Sequence, residues 1–551
     1  MTPKKKRIIT FFAIACFLTG SLCFVRNDFE IAKNLDIYAT LLRQLNENYV
    51  DDINVGDLVR TSIDAMLEEL DPYTVYYPES DLEEFKLMTT GQYGGIGALI
   101  QQDSDYVIIS EPYENTPAME CGLQAGDRII AIDGKSTKGK SVSDVSTALK
   151  GQPGTTVRLT ILPYGSSNSN VKEIVRKEIK LPTIAYTGML EDGIGYARLS
   201  QFTENAGREV KEAFLKLKEQ KMRFFVLDLR GNGGGLLNEA VNIVSLFVPK
   251  GELVVSTKGK QQHLNQQYYT PNEPIDTEIP IAVLVDGHSA SASEIVAGTL
   301  QDLDRAVIIG ERTYGKGLVQ NVLPLSYNTR MKVTVSKYYI PSGRCIQKID
   351  YSHKDSNGVN IRKTDSNATA FKTRHGRTVY DYGGVEPDIN VKNEPYSTVL
   401  LALISEKMIF NYANEFKLHH KSIPPVSEFT FTDAMYADFL NYVGKRNIVY
   451  ETFTEKELKR LESAVKDDKM EKALQSELQA LKKAVEKDKA TDMQKYKREI
   501  TEMLYLEIVN RYYYQHGASE AALKEDPCID SVYKLFKEPE LSTYRQTLRS
   551  K

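Results

Sequence analysis

Disulfide chemistry is the first thing this sequence argues against. Its 551 residues hold five cysteines, and two of them, Cys16 and Cys23, fall in an apolar N-terminal stretch. The other three, Cys121, Cys345 and Cys528, are odd in number and far apart, so they build neither a disulfide framework nor a zinc-ligand spacing. Basic excess is missing too. The formal net charge is −4 and no dense cationic patch is interleaved with aromatics, which argues against a nucleic-acid partner. Tryptophan is absent, an absence that excludes no function. A last absence concerns a motif. "IIGERTYGKGLVQ", residues 308–320, contains Gly310, four residues, Gly315 and Lys316, which is most of a phosphate-binding loop. Gly317 stands where a Ser or Thr hydroxyl must ligate magnesium, and "GLVQNVLPL" alternates like a strand where a helix should open. A nucleotide is therefore not what Lys316 is for, and its role is left to be found.

The chain is too long for one core, and roughly two to four domains are expected. "KKKR" at 4–7 followed by "IITFFAIACFLTGSLCFV" reads as an export signal or an uncleaved N-terminal anchor, assigned to residues 1–26. No later run is apolar enough to cross a bilayer, so the rest of the chain is expected in the periplasm or cell envelope, tied to the inner membrane if the segment is uncleaved. Residues 27–88 are expected to be helical: Ile31, Leu35, Tyr38, Leu42 and Leu45 recur at spacings of three and four, and Pro72 ends a second amphipathic stretch. Residues 393–551 are helical and highly charged. There Leu474, Leu478, Leu481 and Val485 form a narrow seam suited to a helix hairpin or a coiled pair.

Residues 89–165 change texture to short strands and turns. "GQYGGIGALI" clusters glycines before an alternating stretch, "AGDRIIAIDG" ends in an Asp133-Gly134 hairpin signal, and Ser141 caps a short helix that buries Val142, Val145 and Leu149 before Gly151 stops it. "TTVRLTIL" closes the unit. This order resembles a PDZ domain. The resemblance implies that Tyr93, Gly94, Gly95, Ile96 and Gly97 form the loop that binds a peptide's terminal carboxylate. Successive backbone N–H groups make a nest for the anion, and the free sheet edge beside them takes the peptide as an added strand.

Residues 166–392 read as an α/β domain. Thr203 is positioned to cap a helix over "ENAGREVKEAFLKLKEQ", and the polar stretch 350–382 reads as a loop. "FFVLDLR", "IAVLVD" and "RAVIIGE" are short, apolar on both faces and separated by helical stretches, as buried parallel strands are. Each runs into a loop with chemistry. "RGNGGG" exposes backbone N–H groups ahead of a helix. "GHSASASEI" sets serines among small residues at a strand-to-helix turn, where a nucleophile would be exposed under a helix N-terminus. Ser291 and Glu294 also fit a capping box, and a serine Oγ committed to a backbone N–H is a poorer nucleophile. For a base the candidates are His288, three residues before Ser291 on a tight turn, and Lys316. A lysine base must be neutral near pH 7, and moving an ammonium from ~10.4 to ~7 needs roughly 4.6 kcal/mol, obtainable by burial away from carboxylates.

Together "SASASEI", "GERTYGKGLVQ", "LDLRGNGGG", "YYIPSGRCIQ", "GGVEPDI" and "LDPYTVYYPESDLEEF", with the interposed PDZ-like unit, resemble the carboxyl-terminal processing proteases, also called tail-specific proteases, over residues 28 to about 390. The resemblance implies a multidomain α+β and α/β fold: an N-terminal helical segment, a PDZ domain set before an α/β serine protease core, and a helical C-terminal extension. It implies Ser291 as nucleophile, Lys316 as general base, Gln320 supporting the lysine, and an oxyanion hole from the N–H of Ala292 with Gly233 or Gly234. Asp302 matches an acidic position and, late in its helix, is expected to be structural. No metal or cofactor is implied. Expected partners are polypeptides with free C-termini, an adaptor protein, and a second copy of the chain through the helical regions. A PDZ scaffold without activity and an acyl hydrolase of small esters are the competing readings.

Overall fold

The computed structural model describes residues 29–79, 86–87, 89–392, 394–446, 448–537 and 541–549. The expected export segment at 1–26 lies outside these residues, as do residues 80–85 of the motif ending in "SDLEEF". Among the described residues no helix is long and apolar enough to cross a membrane. The chain forms two compact units, a smaller one whose described part is 29–76 with 322–333, and a larger one of 77–321 with 334–551.

In the smaller unit, α1 spans 29–48 and α2 spans Val55–Glu68. Asn54 starts α2 by accepting from the N–H groups of Gly56 and Asp57, the ordinary solution for orphan first-turn donors. α1 leaves Ile31, Leu35, Leu41 and Leu45 exposed.

The larger unit holds a six-stranded antiparallel sheet in which β1 (Ala98–Asp103), β2 (Tyr106–Pro112), β3 (Arg128–Ile132), β4 (Thr156–Leu162) and β5 (Asn170–Val175) are neighbours in that order, with β1 at one edge and the short strand Lys135–Ser136 paired to β3. Asp133 and Gly134 both take positive φ, as the tight hairpin requires. Ser141 caps α3 (Val142–Leu149) in a capping box with Asp144, and Val145 and Leu149 are buried as the pattern predicts. The sheet runs past the boundary expected at 165. β4 pairs with β5 from Thr156–Val175 to Ile161–Asn170, so the polar stretch 163–169 is a hairpin connection and not a linker between domains.

The core sheet follows: β6 (Ile184–Met189), β7 (Ile194–Leu199), β8 (Phe224–Asp228), β9 (Ile281–Val285), β10 (Ala306–Gly310) and β13 (Ile389–Asn390) are neighbours in that order. β6 and β7 are antiparallel; every pairing from β7 to β13 is parallel. Between β10 and β13 the chain forms β11 (Leu318–Pro324) and β12 (Arg330–Tyr339), which pair with each other. Every residue of β8, β9 and β10 is buried, which is why these strands read as continuous apolar runs. One face packs on α4 (Ala206–Glu219), α5 (Leu237–Ser245) and α6 (Ala292–Asp302). Two expectations are corrected here. Thr203 does not cap α4: Asn205 occupies the cap in a left-handed conformation, and the Thr203 hydroxyl pairs with that of Thr183. Nor is 350–382 a structureless loop; it holds two short hairpins, 349–354 with 360–362 and 370–372 with 378–380.

The C-terminal region is helical throughout, with α7 (Thr398–Ser405), α8 (Met408–His419), α9 (Asp433–Gly444) and α12 (Lys497–Ala521) around their own apolar core. Between α9 and α12 lie α10 (Phe453–Asp467) and α11 (Glu471–Lys489). α11 folds back on α10, tied by Lys489–Glu455 at 2.9 Å and Lys482–Glu462 at 2.5 Å. Its seam is shallow: no residue of α11 is buried. The last helices, α13 (Pro527–Phe536) and α14 (Ser542–Thr547), cover the second face of the core sheet.

Candidate active site

The carboxyl ends of β8, β9 and β10 lie side by side, and three loops leave from them, the place where parallel sheets present ligand-binding groups. Asp286 knits the first two loops together. Its carboxylate accepts from Gly231 N in the first, and from His288 N and Ser289 N in its own turn. His288 is exposed on that turn, and its backbone is what the turn uses.

The three serines of "SASAS" have different fates. Ser289 and Ser293 are fully buried, and their hydroxyls donate to the carbonyls of Leu229 and Asn232 at 2.8 and 2.9 Å, so both brace the glycine loop. Ser291 is half-buried and has φ 57° and ψ −111°, a conformation L-residues avoid. The capping box is closed from the glutamate's side, where Ser291 N donates to Glu294 Oε2 at 2.8 Å. Tyr338, buried on β12, donates its hydroxyl to the Ser291 carbonyl at 3.2 Å.

Glu294 joins this turn to the lysine segment. It is fully buried, and the same Oε2 that accepts from Ser291 N accepts from Lys316 N at 2.9 Å. Oε1 accepts from Gly315 N and the Thr313 hydroxyl at 2.7 and 2.6 Å. The backbones of Ser291 and Lys316 are thus within two hydrogen-bond lengths of each other through one atom. Burial pushes the Glu294 carboxyl above its usual 4.5, against the hydrogen bonds from Thr313, Lys316, Gly315 and Ser291 that favour the ionised form. Lys316 is half-buried, as is Gln320 on β11, whose amide donates to Thr334 Oγ1 on β12 at 3.1 Å.

The glycine loop presses against the serine turn. A Cβ on Gly234, whose φ is +99°, would sit 2.7 Å from the Ala290 carbonyl oxygen and 2.9 Å from both Ala292 N and Ser291 Cβ. Gly234 N is itself taken by Asn232 Oδ1 at 2.9 Å, whereas the N–H groups of Gly233 and Ala292 have no protein partner among the described residues. Ala292 opens α6, so its N–H belongs to the positive end of a helix.

The five residues expected to bind a peptide terminus lie in the PDZ-like sheet region and divide in two. Tyr93, Gly94 and Gly95 belong to a short strand paired with 177–180. Beyond it the carbonyls of Ile96 and Gly97 face inward, accepting from Ala118 N, and from Tyr113 N with the Thr116 hydroxyl. In a trans peptide the next N–H points the opposite way, so the N–H groups of Gly97 and Ala98 face away from the domain body, beside the free edge of β1.

Sequence reasoning treated Glu294 only as a cap and passed over Asp228, Arg230 and Tyr338. Asp228 is fully buried and accepts from Tyr196 Oη at 2.5 Å and from Arg230 Nη2 at 2.7 Å. Burial opposes its ionisation, but Arg230 outweighs this and holds the carboxyl below its usual range. The signal was present in "DLRG", an acid and a base at the mouth of a buried strand. Asp302, late in α6, is fully buried against Arg344 at 2.8 Å and accepts from Ser342 N, which fits a structural role.

A buried parallel sheet with a half-buried, strained serine at a helix N-terminus, preceded by a PDZ-like sheet domain, defines a class, the PDZ-bearing serine-type peptidases. Comparisons with known proteins place the chain within it. The profile of peptidase family S41 matches residues 193–354, a PDZ domain profile matches 108–163, and one described as "Probable PDZ-protease, C-terminal helical domain" matches 399–536. The carboxy-terminal-processing protease of Bartonella bacilliformis is 36% identical over 353 residues, covering 62% of this chain and 81% of the relative. That of Synechocystis sp. is 33% identical over 374 residues, covering 62% and 86%. A solved photosystem II D1 C-terminal processing protease is 29% identical, covering 64% of this chain and 92% of that one, with a TM-score of 0.34. The chain belongs to the carboxy-terminal-processing proteases of peptidase family S41.

Proposed function

We propose that the protein cleaves polypeptides near their C-termini with Ser291 as nucleophile and Lys316 as general base. The neutral lysine amine takes the hydroxyl proton as Ser291 Oγ attacks the scissile carbonyl. The N–H groups of Ala292 and Gly233 hold the resulting oxyanion, the lysine returns its proton to the departing amine, and water then releases the acyl group. Gln320 steadies the lysine segment from β11. The observation that carries this reading is the single Glu294 oxygen shared by the backbone N–H groups of Ser291 and Lys316, which holds the two catalytic candidates in one junction. The PDZ-like domain supplies the substrate by taking its terminal carboxylate on the outward N–H groups of Gly97 and Ala98.

The same proposal puts the enzyme in the cell envelope. The cationic residues 4–7 and the apolar stretch after them support export, with retention at the inner membrane if that stretch stays attached. The exposed apolar residues of α1 favour association there with an adaptor or a second copy of the chain.

Protein lacking residues 1–26 is expected to degrade an unfolded protein with an apolar C-terminus. Ser291→Ala and Lys316→Ala should each lower the rate by about 10³-fold or more while the chain stays folded. A rate unchanged by both substitutions sinks the assignment. No turnover by the parent protein, with tail binding intact, would instead mark a scaffold.

A further inference from the structure

The glycine loop is held from two sides. On the sheet side, Asp286 grips Gly231 N with both carboxylate oxygens at 3.0 Å. On the other side stands Arg230, the loop's first residue. Asp228 holds its guanidinium through Nε and Nη2 and its backbone N–H at 2.9 Å. The remaining hold on Nη2 comes from outside the protease core, from Asp526 Oδ2 at 2.6 Å. Arg230 and Asp526 are both largely buried, with side-chain exposures of 18% and 10%.

Asp526 is itself fixed. It caps α13, with Oδ1 accepting from Cys528 N at 2.8 Å, and α13 is seated on the sheet, where Phe536 stacks on Phe224 with centroids 4.7 Å apart. Downstream of Arg230 the loop reaches the serine turn without slack. The Asn232 carbonyl accepts from Ala290 N at 3.0 Å and from the Ser293 hydroxyl at 2.9 Å, bracketing Ser291 on both sides.

We propose that Asp526 is a positioning residue for catalysis: through Arg230 it sets the 230–235 loop against Ser291, so the helical C-terminal region completes the active site. This inference rests on the Ser291 reading above. Its consequence is that the Asp526–Arg230 contact acts on turnover and not on capture of the substrate tail, because it ends at the loop beside the nucleophile.

Two substitutions separate the aspartate's two duties. Asn caps helices well but offers one carbonyl oxygen for two donors, so Asp526→Asn keeps the cap and gives up the charged hold on Arg230. Asp526→Glu keeps a carboxylate for Arg230 but is a poor cap. With protein lacking residues 1–26 and a short peptide ester or amide as substrate, Asp526→Asn should lower kcat by about tenfold with KM and the unfolding temperature nearly unchanged. Asp526→Glu should retain most of kcat while unfolding at a lower temperature. A kcat that follows the unfolding temperature across the two variants, or that neither variant moves, overturns the proposal and leaves the protease reading standing. A parent rate that Ser291→Ala does not reduce overturns both.

Discussion

Ser291 sits in a backbone conformation that costs on the order of 1–3 kcal/mol, and the surrounding atoms enforce it. Gly234 is the closest of them. Its φ of +99° already disfavours a side chain, and an added Cβ would meet the Ala290 oxygen at 2.7 Å and the Ala292 nitrogen at 2.9 Å. These are backbone atoms on either side of the nucleophile, with no flexible end that can step aside. Gly234→Ala should therefore displace the Ser291 turn and lower kcat by about 10²-fold or more, as an ångström-scale misplacement does. Gly287, on the turn before the serines, provides the control. A Cβ there meets nothing within 4 Å, so Gly287→Ala should keep kcat within a few-fold of the parent. Equal losses in the two variants, measured at saturating substrate, would show that the loop does not set the serine's position.

α6 carries the site's organising group. Glu294 takes four hydrogen bonds from the serine turn and the lysine segment, and its carboxyl titrates above 4.5 because burial outweighs those bonds. A carboxyl raised on folding binds its proton more tightly in the native chain. Its contribution to stability is whole below the unfolded value near 4.5 and is lost as pH rises through the raised native value. The parent's stability margin over Glu294→Gln, read from denaturant midpoints at a series of pH values, should accordingly shrink from acid toward neutral pH. A margin that grows with pH would contradict the burial assigned to this group.

Legibility followed the range of the interactions involved. The strands β8, β9 and β10, the helix α3 with its Ser141 cap, and the three loops at the strand ends are set by neighbours in sequence and could be read there. Which serine of "SASAS" escapes full burial could not be derived from the residues alone, because Ser289 and Ser293 are withdrawn by carbonyls of a loop some sixty residues earlier. β5 was missed for a similar reason. "NVKEIV" is a strand only by pairing with β4; its apolar residues, Val171, Ile174 and Val175, do not alternate, and Ile174 is the one that is buried.

At the scale of the molecule, the core sheet is a middle layer, and each face has a different cover. α4, α5 and α6 lie on one side, α5 following the glycine loop and α6 the serine turn. Residues 528–536 and 541–548 lie on the other, so the sheet cannot finish its core until the C-terminal region has been made. Tyr544 extends this closure by donating to the Arg305 carbonyl and accepting from Ile281 N. Phe536, 3% exposed, lies almost parallel to Phe224 on β8, the strand that feeds the glycine loop. Phe536→Ala would leave a cavity under that strand and should cost about 3–5 kcal/mol. Phe453, at the start of α10, is 74% exposed, and Phe453→Ala should stay within about 0.5 kcal/mol of the parent. Thermal unfolding of the two variants, followed alongside the peptidase rate at a temperature below both transitions, should show the loss confined to Phe536→Ala. If the two variants melt together, the C-terminal helices are an appendage to the sheet and not its second cover.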